Sequence, residues 1–400
     1  MKILHTSDWH IGKQLHKIDL SEDIQLFFDW LTELIQKEKI DVLLMSGDLF
    51  DQANPSQHAL RQYYTFLKKM LHLRCKVIIT GGNHDSPLVL NAPKDILDAL
   101  DIHVIGGATS DIKDIFIKVE KGGEQLVVAG VPFLRDKDIR KAAPGESYED
   151  KIEQLRAGME TYFEEVNQYY TQHYDGIPFI IMAHLFAQGA VVSDSEREIQ
   201  IGNQAGIESR IFGNKANYIA LGHIHKPQSA GHEHIRYCGS PIPLSFSEKE
   251  DKKEVIIINI DKEKFDFSRL EVPRFRNLVL IKGDLESVKS KIEDYNSETP
   301  LADLAEIIVT EENESSTIIS EYEEMITSEE NVNLQLIKFK LVFKNAIEGT
   351  SSLLSEADDI SSYKPMQLFE KRLEQEADLA DVGQLKNAFR EILSEIHEKE

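Results

Sequence analysis

Short apolar runs and longer stretches of helical period alternate along the first two-thirds of the chain. Ile3, Leu4 and the residues up to Thr6 precede a segment over 21–37 in which Ile24, Phe27, Phe28, Leu31, Leu34 and Ile35 share one helical face. The run 41–46 (DVLLMS) precedes a second helix opening near Pro55, a favourable first-turn residue. The β-branched run 76–80 (KVIIT) precedes a third helix near 92–100. Further strand-like runs fall at 115–119, 126–133, 179–183, 218–221 and 255–260, with a long helix expected over roughly 147–170. This alternation predicts a layered α/β domain over 1–273.

The pattern changes at Pro273-Arg274-Phe275-Arg276. Beyond it, apolar runs and acidic helical stretches predict a small α+β domain over 274–345. Residues 346–364 are rich in Ser, Asp and Glu with few apolar anchors, which reads as a linker. Residues 365–400 predict two short amphipathic helices. Met366, Leu368, Phe369 and Leu373 mark one face, and Leu385, Phe389, Ile392, Leu393 and Ile396 the other. Helices this short do not bury such faces alone. They either fold back on the chain or dock on a partner.

Five of the strand-like runs end in polar signatures. They are Ser7-Asp8-Trp9-His10, Gly47-Asp48, Gly81-Gly82-Asn83-His84-Asp85, His184, and Gly222-His223-Ile224-His225. Taken singly, each reads as a turn or cap, because Gly supplies positive φ and Asn and Asp close turns. Taken together, they point to one cleft, since ligands in layered α/β domains gather beyond the carboxyl ends of strands. Asp, His and Asn without thiolate suit Mn, Fe or Zn held for chemistry rather than a structural cysteine–zinc site. Two ions account for the set. One takes Asp8, His10 and His225, the other takes Asn83, His184 and His223, and Asp48 bridges them. With about six positions per ion, about four remain open for a water-derived nucleophile and phosphate oxygens, as a phosphoester hydrolase requires. His5 lies within the first strand and reads as packing or as a support behind the ligands, and His232 and His234 read as exposed hairpin residues.

Composition narrows the setting. No apolar run approaches the length of a membrane span, and MKILHTSDWH turns polar within five residues, unlike a signal-peptide core. The two cysteines, Cys75 and Cys238, are far apart and have no metal-finger spacing, so a cytoplasmic protein without disulfides is expected. The formal charge is −24, and about two-thirds of it falls in residues 281–400. Such a chain is a poor general trap for nucleic acid. A DNA grip would therefore need local features. Arg135, Lys137, Arg140 and Lys141 form the basic stretch that could track a backbone, and 186–203 reads as a loop over the cleft.

The motifs in this order resemble the calcineurin-like binuclear metallophosphoesterases. The stretches MKILHTSDWHIGKQL, GDLFD, GGNHDS, YIALGHIHKPQ and YCGSPIPLSFSE resemble, more narrowly, the SbcD family of bacterial nucleases. That resemblance implies a β-sandwich flanked by helices, a cap domain, and a docking tail. It implies Asp8, His10, Asp48, Asn83, His184, His223 and His225 as ligands of two divalent ions, manganese first. His84 would be the catalytic histidine, oriented by a hydrogen bond from Asp85. The expected activity is Mn-dependent cleavage of DNA: exonucleolytic on duplex ends, endonucleolytic on hairpins and single strands, in repair, recombination and replication. The implied partners are an SbcC-type, SMC-like ATPase and a second copy of the chain, the homodimer forming through helices of the first 150 residues. Related proteins outside bacteria carry a histidine where Asp51 stands here, so Asp51 receives no role. Two other readings stand beside this one. The first is a phosphodiesterase acting on a nucleotide or small phosphodiester. The second is a non-enzymatic assembly protein whose metals only stabilise the fold.

Overall fold

The computed structural model describes residues 1–140, 147–196, 207–261, 264–327, 333–345, 366, 369, 373 and 382–397. Its chain separates into two compact units, Met1–Pro273 and Arg274–Glu400.

The first unit opens with β1 (Lys2–Thr6), a small hairpin of β2 (Gln14–Leu15) and β3 (Ile18–Asp19), α1 (Ser21–Glu38) and β4 (Val42–Ser46). It continues through α2 (Gln57–Leu73), β5 (Lys76–Thr80), α3 (Pro87–Asn91), α4 (Lys94–Asp98), β6 (Ile102–Ile105), β7 (Phe116–Lys121) and β8 (Glu124–Gly130). The short α5 (Asp136–Ile139) and the long α6 (Tyr148–His173) lead into β9 (Phe179–His184) and β10 (Tyr218–Gly222). Four strands close the unit: β11 (Gln228–Ala230), β12 (His232–Tyr237), β13 (Glu254–Asp261) and β14 (Lys264–Glu271). The helix expected over 92–100 is found as the shorter α4, with the separate α3 before it. Pro93, which has no N–H to continue a helical ladder, stands between α3 and α4.

These strands form two six-stranded sheets, ordered β14-β13-β1-β4-β5-β6 and β11-β12-β10-β9-β8-β7. Strand alternation explains why they stack. Ile3, Val42, Leu44 and Ile78 enter one core with Val128, Ile180, Met182, Tyr218 and Ala220 of the other sheet. Leu4, Leu43, Met45, Val77 and Ile79 alternate with them and are equally buried. A sheet buried on both faces needs a helical cover, and α2 packs on β5 while α1 packs on α2. Trp9 anchors that cover, with its ring edge-on to Phe27, Phe28 and Phe66. Within the sheets β1, β4 and β5 run parallel, as do β8, β9 and β10. The carboxyl ends of each parallel set therefore lie along one edge of its sheet.

The second unit contains β15 (Leu278–Gly283), α7 (Leu285–Glu293), β16 (Asp303–Glu311), α8 (Ser316–Thr327) and β17 (Leu334–Phe343), and a later helix, α9 (Val382–His397). Its three strands are all parallel, in the order β15-β16-β17. The expected α+β arrangement is thus corrected to a β-α-β-α-β unit. Parallel neighbours need a crossover, and each intervening helix supplies one. The core gathers Ile281, Leu285, Val288, Ala305, Ile307 and Val309. Phe369 stacks on Phe389 with ring centroids 4.1 Å apart, while Leu385 and Ile392 of α9 stay exposed. Leu368, the linker over 346–364 and the side chain of Ile396 lie outside the described residues.

Candidate metal centre

Three of the five signatures leave their strands through a backbone bend that a side chain rarely adopts. Asp8, His10, Asp48 and His223 have φ of 52°, 46°, 54° and 100°. Left-handed residues of this kind cost roughly 1–3 kcal/mol each and persist where the surroundings hold them. Here the loops after β1 and β4 hold one another. The N–H groups of Asp8, His10 and Ile11 donate to the carbonyls of Gly47, Asp48 and Leu49, at 3.0, 3.1 and 3.0 Å. Glycine is required at Gly222, where a Cβ would collide with the carbonyl oxygen of Ser46. The two sheets approach closely there.

The result is a compact set of donor atoms. Asp8 Oδ1 accepts the His223 N–H at 2.9 Å, and Asp48 Oδ1 accepts the His84 N–H at 2.8 Å. Asp48 Oδ2 lies 3.6 Å from His10 Nε2 and 3.4 Å from His184 Nε2. His10 Nε2 and His225 Nε2 face each other at 3.1 Å. Asn83 Oδ1 sits 2.9 Å from His184 Nε2 and 3.3 Å from His223 Nδ1. Asp8, His10 and His225 thus form one group whose donor atoms lie within 4.8 Å of one another, and Asp48, His184 and His223 form a second.

The chemistry of this set fits two divalent cations. Two buried carboxylates and four imidazoles point lone-pair atoms at common points, His223 doing so with Nδ1. Burial raises the Asp8 carboxyl above the usual range. For His184 burial acts downward, but Asp48 and Asp8 outweigh it and hold the imidazole up to about 9. For Asp48 burial acts upward, and His184 and His84 overcome it to leave the carboxyl well below the usual range. Divalent cations held among these groups would supply the positive charge that the buried Asp8 and Asp48 carboxylates call for.

The braces behind the donors are the part that sequence reading missed. His10 Nδ1 meets Asp51 Oδ1 at 3.2 Å, and Lys13 Nζ meets the same oxygen at 3.1 Å. The carbonyl of Asp51 lies 2.7 Å from His84 Nδ1. A carbonyl only accepts, so Nδ1 carries the proton. Asp51 therefore orients both histidines. His225 Nδ1 lies 2.6 Å from Ser195 Oγ, whose hydroxyl bonds Glu248, and Glu196 accepts the His225 N–H at 2.8 Å. Asp51 stood in a quoted motif and Glu248 in another, but no spacing tied either to a histidine.

Asp85 is a correction. Its two oxygens accept the N–H groups of Leu49, Phe50 and Gly82 at 3.0, 3.0 and 2.9 Å, so it ties the β4 loop to the β5 loop. The orienting bond to His84 comes from Asp51 instead. Burial, with Asp48 nearby, raises the Asp85 carboxyl to about 6. His84 itself is buried among the donors, its ring edge-on to that of His10 at 4.7 Å.

The basic stretch is placed unevenly. It begins beside the centre, where the Phe133 ring lies edge-on to His184 at 6.4 Å. Lys137 is exposed and Arg135 half-buried, whereas Arg140 is mostly buried and pairs with Asp136 at 3.2 Å. Lys141 lies outside the described residues, as do 197–203 of the expected loop. His232 is exposed in the β11–β12 hairpin as expected, with His234 half-buried beside it. His5 is buried with Nδ1 3.1 Å from Tyr218 Oη, and burial lowers its imidazole to about 3. No helix among the described residues is long and apolar enough to cross a membrane.

Comparison with known proteins adds two family matches and three relatives. Residues 1–227 match the calcineurin-like phosphoesterase family. Residues 274–377 match the family described as the type 5 capsule protein repressor C-terminal domain. The chain is 35% identical over 315 residues to the D subunit of nuclease SbcCD from Escherichia coli (strain K12), covering 75% of this chain and 76% of that protein. It is 34% identical over 258 residues to the Rhodobacter capsulatus protein of the same name, covering 62% and 64%. With the Bacillus subtilis (strain 168) protein of that name the identity is 31% over 265 residues, covering 65% and 66%.

Proposed function

This chain belongs to the calcineurin-like phosphoesterase family, in the SbcD branch of nucleases, and from that premise we propose that it is the metal-dependent DNA nuclease component of an SbcCD-type complex. The observation that carries the reading is the convergence of seven donor residues and His84 at the carboxyl ends of five strands. Asp8, His10 and His225 would hold one cation, Asn83, His184 and His223 the other, and Asp48 both. Manganese is the metal we assign. When bound, the cations supply an activated water and neutralise phosphate charge.

The chain's own groups then have defined tasks. Asp48 spends one oxygen on a backbone N–H and turns the other toward His10 and His184, whereas Asp8 accepts the His223 N–H with Oδ1 and the Ser7 hydroxyl with Oδ2. Asp51 holds the Nδ1–H of His84, so Nε2 is the nitrogen that, in the protonated imidazolium, can stabilise the phosphoryl group or protonate the leaving oxygen. Lys137 is the best-placed residue of the basic stretch to meet a DNA backbone; the pairing of Arg140 with Asp136 weakens its claim. In the tail, the exposed Leu385 and Ile392, with Phe389 and Leu393, suit docking on an SbcC-type ATPase. A homodimer through the first unit's helices belongs to the same reading.

The test is cleavage of a labelled hairpin-ended duplex by the purified chain with Mn²⁺, with and without the SbcC-type partner and ATP. Manganese-dependent cutting that gains ATP dependence with the partner is expected. Hydrolysis of a small phosphodiester with no DNA cleavage in either condition would overturn the choice of substrate while leaving the site assignment standing.

A further inference from the structure

Each half of the centre sets two imidazoles beside one Asp or Asn, and the imidazoles of the two halves are backed differently. In the half formed by Asp8, His10 and His225, both imidazoles turn their outer nitrogen toward a carboxylate. His10 Nδ1 faces Asp51 directly. His225 Nδ1 faces Ser195 Oγ at 2.6 Å, and that hydroxyl donates to Glu248, whose Oε1 is itself 3.5 Å from the ring nitrogen. In the half formed by Asn83, His184 and His223, His184 Nδ1 faces only the neutral Ser46 carbonyl at 3.0 Å, and His223 Nε2 faces no partner among the described residues.

Glu248 is held to this task. It is fully buried, and Lys253, also buried, bonds Glu248 Oε2 at 2.5 Å, Ser240 Oγ at 2.9 Å and the His225 carbonyl at 3.0 Å. Leu244 N–H adds a further bond to Oε2 at 3.2 Å. Both the ring and the backbone of His225 are therefore fixed by one buried Lys–Glu–Ser cluster. A carboxylate behind a ligating imidazole fixes its tautomer and strengthens it as a donor, an effect worth about 10–100-fold in metal affinity.

We infer that Glu248, acting through Ser195, is a positioning residue for His225 and makes the Asp8–His10–His225 half the tighter of two unequal metal sites. The inference rests on the two-metal reading above and adds an order of loading to it. The half with His184 and His223 is the one that exchanges its cation.

The experiment is a Mn²⁺ titration of the full chain by calorimetry, with bound and free ion counted by electron paramagnetic resonance. Wild type is expected to show two binding classes. Glu248→Gln should weaken the tighter class about 10–100-fold and leave the weaker one unmoved. Ser195→Ala should do the same and Ser195→Thr, which keeps the hydroxyl, should restore it. Asn83→Ala should remove the weaker class and expose the tighter one alone. If Glu248→Gln does not fold, because Lys253 loses its charge partner, the Ser195 pair carries the test. Equal weakening of both classes, or no change in either, overturns the inference. Uptake of fewer than two ions by wild type overturns the two-metal reading and this inference with it.

Discussion

Both units are built on parallel strands with acidic residues just past their carboxyl ends, yet only one turns those residues into a site. In the second unit, Asp284 after β15 accepts the Ser287 N–H at 2.8 Å, and Glu311 at the end of β16 accepts the Leu285 N–H at 2.8 Å. Both cap α7, the ordinary use of a carboxylate at a helix N-terminus. In the first unit Asp8 and Asp48 stand at equivalent points but are bent inward. The difference lies in the backbone. Asp8, His10, Asp48 and His223 occupy left-handed conformations, whereas no described residue of the second unit does. A strand end therefore offers a carboxylate to the nearest N–H unless strain is spent to aim it elsewhere. That strain is tolerated where neighbouring loops and buried charge lock it in place.

The sharpest way to break the comparison is to remove the shared carboxylate. Asp48→Ala should abolish uptake of both ions, measured by elemental analysis, and lower cleavage by at least about 100-fold. Retention of two ions would mean that Asp48 caps His84 N–H as Asp284 caps Ser287, and nothing more. His84→Ser should keep both ions and lose about 10²–10⁴-fold in cleavage rate. Its ring stands with His10 and Asp48 within 4.8 Å, so loss of an ion in that variant would move His84 into the ligand set. On the other side of the comparison, Ile307→Ala should cost the second unit about 2–5 kcal/mol in denaturant melts. Ile307 is fully buried in that unit's core, so manganese uptake should not change.

Much of the centre was legible because its donors share one local grammar, an apolar run followed at once by a polar signature. That grammar placed Asp8, Asp48, Asn83, His84, His184 and His223 at strand ends, and the structure brings them together. The braces obey no such grammar. Ser195 and Glu248 lie 30 and 23 positions from His225, outside the strands, and no spacing ties either to a histidine. Asp85 was misplaced for a related reason. Adjacency to His84 suggested contact, but both its oxygens turn back to the β4 loop. In the second unit the elements were readable from periodicity while their direction was not. Helical crossovers make β15, β16 and β17 parallel, and a strand's own sequence does not record which way its neighbour runs.

The smallest effect tests whether the second unit also uses buried charge. Asp303 is fully buried at the start of β16, where it accepts hydrogen bonds from Tyr295 Oη at 2.6 Å, Thr299 Oγ1 at 2.8 Å and Asn277 Nδ2 at 3.0 Å. Burial pushes its carboxyl up, but the Asn277 backbone N–H and the hydroxyls of Ser297 and Tyr295 outweigh that and hold it below the usual carboxylate range. A depressed carboxylate contributes stability above its unfolded value near 3.8 and loses it as pH falls through the folded value. Asp303→Asn should therefore destabilise the second unit at pH 7, and the gap from wild type should narrow when the melts are repeated at about pH 3. A gap that stays constant would show that Asp303 acts through hydrogen bonds alone. Charge would then be used to build structure only around the metal centre of the first unit.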